Sequence, residues 1–274
     1  MLPCKRGSRN LRSHSSSHSI RLLGLNARTI FEMTGYLQRR LLTGLVVSTT
    51  LLFLGTTFAS AQQLDAATVI TKVDAAVRDR VDHIASYTVT EHYAVFRGKD
   101  EVHPAAEMTV HTEYSRETGK NYTTLSHSGS GFIVTHVLGA ILDREKEINR
   151  PGVREHSWLT SANYEMKLRP GGIQRQDGRD CLVLDITPRH KDPNLIDGTI
   201  WVDARDGSVV RLEGTTLEAP SIFTGVSHLM RQYVNVNGFG MATHAQAFTD
   251  SILLGRTTIR IDYQDYKIQL ASGR

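Results

Sequence analysis

The stretch Asp177-Gly178-Arg179-Asp180-Cys181-Leu182-Val183-Leu184-Asp185-Ile186-Thr187-Pro188 opens on a turn dipeptide and runs on in apolar and β-branched residues. Leu182, Leu184 and Ile186 recur at period two, which places them on one face of a strand. Cys181 sits in the same alternation and reads as a small buried thiol. Runs of the same kind follow at 199–203, 208–216, 228–236, 244–253 and 257–267, separated by Asp197-Gly198, Asp206-Gly207 and Asn237-Gly238. Strands so close in sequence pair as antiparallel hairpins, because a parallel crossover needs a dozen or more residues. Eight or more twisted strands must curl or close.

Working outward, the stretch 132–148 changes to helical spacing, between Gly129 and Gly131 on one side and Pro151-Gly152 on the other. Glu145 and Glu147 fall in its terminal charge run and read as a solvated helix end. Further back, 87–95 and 108–114 alternate again, and 121–125 supplies a third strand. Between 64 and 84 the apolar residues Val69, Ile70, Val73, Val77, Val81 and Ile84 recur every three or four positions, an amphipathic helix with Asp65 as its N-cap. The fold class that follows is α+β and mainly β: a curled antiparallel sheet forming an incomplete β-barrel covered by helices.

Three segments carry a family resemblance. The 177–188 strand, the hairpin with Ile200-Trp201-Val202-Asp203, Asp206-Gly207 and Val210-Arg211-Leu212-Glu213, and Tyr233-Val234-Asn235-Val236 ahead of Phe248 together resemble the outer-membrane lipoprotein-sorting (LolA/LolB/RseB-like) superfamily, in a divergent, acidobacterial-type form. The resemblance covers about a third of the chain. It implies a half-barrel whose concave apolar face holds acyl chains of a lipid or lipoprotein. The alternative it implies is an RseB-like interaction or sensing module whose partner is an envelope membrane protein. One face of each strand of such a half-barrel looks inward. The candidate lining is therefore Tyr87, Val89, Tyr93, Met108, Val110, Leu182, Leu184, Ile186, Leu212, Ile259 and Ile261. The competing reading of the same residues is plain core, packed against the two helices.

The N-terminal part reads as an export leader. An uncharged segment at 41–58 follows Arg39 and Arg40 and ends at Ala59-Ser60-Ala61, which predicts cleavage between Ala61 and Gln62 and a periplasmic mature chain. An uncleaved anchor is the rival reading. The division expected is thus 1–61, extension and signal peptide, and 62–274, one half-barrel domain. Of the 32 Lys and Arg and the 28 Asp and Glu, the leader holds 8 and 1, so the mature chain is near −3 and carries no electrostatic footprint for nucleic acid.

Catalytic and metal chemistry find no pattern here. The leader takes Cys4, which leaves Cys181 without a disulfide partner. The ten histidines of the mature chain appear in no His-x-x-x-His or His-Glu-x-x-His spacing, so no metal or other cofactor is expected. The segment His127-Ser128-Gly129-Ser130-Gly131 lacks the first glycine of a nucleophile elbow and reads as a loop. The expectation is a binding protein rather than an enzyme, with a hydrolase whose site is dispersed along the chain as the remaining rival.

Overall fold

Helix α1 (Ala66–His83) starts where Asp65 accepts hydrogen bonds from the backbone N–H groups of Ala67 and Thr68, both at 3.3 Å. It ends with Arg80 and His83 in its last turn, favourably placed on the negative end of the helix dipole. Ile84 is already extended, and the chain passes directly into β1 (Ile84–Arg97). The computed structural model describes residues 65–217, 227–251 and 255–272. The leader, including Ala61 and Gln62, lies outside them. Among the described residues no helix is long and apolar enough to cross a membrane.

Strands β2 (Ala106–Ser115) and β3 (Gly119–Gly129) follow β1, and then helix α2, which comprises Gly131–Ile133, Val134–Leu138 and Gly139–Ile148. Over Val134–Leu138 the hydrogen bonds slip to the wider π spacing. A 3₁₀ turn (Arg154–Ser157) leads to β4 (Tyr164–Leu168), the short β5 (Gln174–Gln176) and β6 (Arg179–Pro188). Strands β7 (Ile196–Asp203), β8 (Val209–Thr216), β9 (His228–Val236), β10 (Phe239–Ser251) and β11 (Gly255–Leu270) complete the sheet.

All pairs are antiparallel, in the order β3-β2-β1-β11-β10-β9-β8-β7-β6-β4, with β5 beside β6. The two end strands, β3 and β4, do not pair with each other, so the sheet is a curled half-barrel and not a closed one. Two meanders, β1–β3 and β6–β11, are joined where β1 pairs with β11, for example Tyr93 with Ile261. The antiparallel hairpins expected of the consecutive strands in the second half are those of β6–β11.

Two turn readings hold in detail. Asp177 and Gly178 have φ of 48° and 77°, and Asn237 and Gly238 have 53° and 95°, the paired positive values that suit the right-handed twist of a hairpin. A third fails: Asp197-Gly198 lies inside β7, where Gly198 faces Gly214 and a Cβ would run into the Glu213 carbonyl. Glycine there serves close strand approach. Likewise His127, Ser128 and Gly129 belong to β3, paired with Met108, Glu107 and Ala106. A ready partner strand overrides their loop-like composition.

The apolar residues form two main clusters. In the first, Val69 and Val73 of α1 pack on Leu182, Leu184, Ile186, Ile200, Val202 and Leu212, with Tyr164 and Leu195 beside them. In the second, Ile133, Val137 and Leu138 of α2 pack on Tyr93, Met108, Val110 and Ile259. Each fully buried aliphatic side chain contributes about 1.5–3 kcal/mol, so either cluster is a substantial core. Each helix thus fills one part of the concave face.

Candidate functional site

Beside the two clusters the concave face is not filled. A cavity of about 270 Å³ remains there, walled by the C-terminal half of α1 (Ala76, Val77, Arg80, Val81), the end of α2, and strands from both meanders. Its lining mixes apolar residues, Ala76, Val77, Val81, Ile84, Leu159 and Met241 among them, with tyrosines and charged groups, and Tyr87 and Tyr266 pack directly against Ile84 and Met241.

Strand alternation explains the polar part of the lining. On β1 the inward register runs Tyr87, Val89, Glu91, Tyr93, and Glu91 is only 1% exposed. Its neighbours across the sheet are Val110 on β2 and Tyr263 on β11. On β3, Lys120 lies opposite Tyr114, which in turn lies opposite Tyr87. From β9 come Arg231 and Tyr233, and from α2 Glu145.

These groups form a network. The Lys120 ammonium stands 3.1 Å from a Glu145 oxygen and 4.0 Å from one of Glu91. Tyr93 donates its hydroxyl to the other Glu91 oxygen at 2.5 Å. Asn149 donates to the Glu145 backbone carbonyl at 2.7 Å and to its side chain at 3.4 Å. Tyr87 stacks on Tyr114 at 4.7 Å between ring centres, and Arg154 donates to the Tyr114 hydroxyl at 3.0 Å.

Burial and charge set the protonation of the site. Burial alone would pull the Lys120 ammonium down, but Glu145, Tyr87 and Glu91 outweigh it and hold the group well above the ordinary range. Burial would raise the Glu145 carboxyl, and Lys120 and Arg231 reverse this and hold it low. Burial pushes the phenols of Tyr87, Tyr263 and Tyr266 up, so they are neutral hydrogen-bonding groups near pH 7. The arrangement offers an amphipathic molecule both aliphatic surface and fixed charges.

Of the residues expected from the sequence to line the site, Tyr87 does. Tyr93, Met108, Val110 and Ile259 are buried in the cluster under α2, with Ile261 packed against it. Leu182, Leu184, Ile186 and Leu212 are buried in the cluster under α1, and Val89 is 1% exposed. What the sequence reading passed over is the charge. Glu91 stood in plain view at an inward position of β1. Glu145, read as part of a solvated helix end, faces the cavity instead, while its neighbour Glu147 is exposed and paired with Arg150. Cys181 is buried, and burial pushes its thiol up. Among the described residues no group of three or more His, Cys, Asp or Glu side chains could hold a metal ion.

No protein-family model matches the sequence, and no curated protein matches it. In fold, the chain is similar to the LolA superfamily protein NE2245 from Nitrosomonas europaea, at 11% identity and a TM-score of 0.42, over 74% of this chain and 93% of that one. It is similar also to an outer membrane lipoprotein-sorting protein domain from Vibrio parahaemolyticus, at 12% identity and a TM-score of 0.43, over 76% and 94%. A DUF1329 family protein from Desulfovibrio piger is a third, at 14% identity and 0.38, over 75% and 95%. At these identities the likeness is one of fold alone.

Proposed function

We propose that the chain is an exported, non-catalytic binding protein or carrier for a lipidic ligand, whose acyl chain lies along the apolar residues of α1. The observation that carries this reading is the cavity left beside two well-packed clusters, lined both by aliphatic side chains and by buried polar and charged groups. Six to eight methylenes buried there would gain about 5–6 kcal/mol before ordering costs. The volume falls just below the roughly 300–1,000 Å³ common for small-ligand sites, which favours one acyl chain over two in this shape. Tyr87 is the expected residue that would touch it.

The test is uptake of a fluorescent fatty acid by delipidated protein. Saturable, one-to-one binding displaced by unlabelled fatty acid is the expected result; the absence of any uptake by folded protein would overturn the reading. A second reading rests on β3, an end strand of the sheet whose residues from Thr123 to Gly129 are all exposed, Leu125 at 59%. Such an edge can accept a strand from an envelope protein. Co-purification of a stoichiometric protein without lipid would favour it.

A further inference from the structure

Six ionisable side chains of formal charge line the cavity: Arg80, Lys120, Arg154 and Arg231 against Glu91 and Glu145. The positive groups outnumber the negative by two. Lys120 is engaged by both carboxylates, and Arg154 is 3.2 Å from Glu155, which lies outside the lining. Arg80 and Arg231 are left without an ion pair among the described residues. Arg231 is the more telling. Its Nε is shut off from solvent and has no hydrogen-bond partner, while the rest of the guanidinium meets the phenols of Tyr233, to which it hydrogen-bonds, and Tyr263, neutral groups and not acids. Its cross-strand neighbours are Ala245 and Leu212, so the sheet itself offers it no acid. Glu145, the carboxylate that acts on it, is already bonded to Lys120 and Asn149. A desolvated guanidinium is costly unless something pairs with it, and its planar fork matches a carboxylate or phosphate.

We propose that the ligand is an anionic amphiphile whose carboxylate or phosphate end pairs with Arg231, Arg80 adding a second positive charge, while its chain follows the apolar residues of α1. This deepens the lipid-binding reading and rests on it. Nothing in the network then needs to break for the ligand to enter: Lys120 keeps Glu145, and the anion supplies the acid that Arg231 lacks.

The experiment measures affinities of the delipidated protein for dodecanoate, dodecyl phosphate, dodecanol and inorganic phosphate, by displacement of a fluorescent fatty acid and by calorimetry. Wild type is expected to bind the two anionic amphiphiles at least about tenfold more tightly than the alcohol. In Arg231→Gln that ratio should fall to about one, and Arg231→Lys should keep part of it. Melting curves confirm that each variant is folded, and the wild-type comparison stands even if Arg231→Gln is not. Equal binding of dodecanoate and dodecanol would overturn this inference and leave the lipid reading standing. Failure of every amphiphile would overturn both. Inorganic phosphate binding as tightly as dodecyl phosphate would overturn the amphiphile in favour of a free anion, and an unchanged ratio in Arg231→Gln would remove Arg231 as the anchor.

Discussion

The two halves of helix α1 meet the same sheet with opposite results. Val69 and Val73 in its first half press on Leu184, Ile200 and Val202, and all five are 2% exposed or less. Ala76, Val77, Arg80 and Val81 in its second half face a cavity. Both halves are amphipathic at the same period, and both lie over strands that alternate at period two. The difference lies in what the strands send inward. Under the first half it is branched aliphatic side chains that interlock with the helix. Under the second it is Tyr, Glu and Arg, whose polar ends must be kept apart in fixed geometry, together with Gly240, Ala242 and, from the turn between β7 and β8, Gly207, which have little to fill space with. Periodicity specifies which residues point in; their size and polarity decide whether the interior closes.

The contrast can be broken first on its full side. Leu184→Ala should cost about 2–5 kcal/mol, the usual penalty for emptying a tight core, measured by urea unfolding. Ligand uptake by the fraction still folded should be unaltered, because Leu184 is outside the cavity lining.

On the hollow side the largest cost should come from charge rather than volume. Lys120→Met leaves Glu145 and Glu91 without their cation and is expected to destabilise by about 3 kcal/mol. The double variant Lys120→Met with Glu145→Leu should recover much of that loss in a double-mutant cycle. Acid and alkali probe the same pair. Glu145 has a lowered pKa in the fold, so its contribution is present above its ordinary 4.5 and is lost as the pH falls below that. Lys120 has a raised one, so its contribution is complete below its ordinary 10.5 and is lost as the pH climbs above it. Glu145→Gln should flatten the acid limb of a stability profile, and Lys120→Met the alkaline limb.

A smaller effect is expected where the two halves meet. Gly207, at φ 75°, lies against α1, and a Cβ there would stand 2.5 Å from the Lys72 carbonyl carbon. The Lys72 ammonium also bonds the carbonyls of Ala204 at 3.2 Å and Arg205 at 3.1 Å. Gly207→Ala should loosen this clamp and cost about 1–3 kcal/mol in thermal or chemical unfolding. Smallest of all is Ala76→Leu, which adds volume to the cavity wall. Stability should move by no more than about 0.5 kcal/mol, while fatty-acid uptake weakens. The same enlargement on the full side, such as Val202→Phe, should be the costlier by far.

Much of this was legible from residues alone. Helix α1 announced itself by spacing and by Asp65, and Asp177-Gly178 and Asn237-Gly238 marked true hairpin turns. Asp197-Gly198 misled because a glycine that lets two strands approach looks, in sequence, like one that turns the chain. His127, Ser128 and Gly129 misled because their strand is made by β2 and not by their own preference. The site was harder for a different reason. Glu91, Lys120, Glu145 and Arg231 come from β1, β3, α2 and β9, and they converge only because β1 pairs with β11 and brings the first meander against the second. No local pattern encodes that junction. The inward register of Glu91 was visible, but its partners were not.

In the proposed function the space beneath the second half of α1 belongs to a lipidic guest. Native mass spectrometry of the protein purified from its own envelope tests this most directly. One lipid-sized mass increment per chain is expected, lost on extraction with organic solvent and restored by added fatty acid. A bare polypeptide mass that stays bare when fatty acid is supplied to folded protein would contradict it.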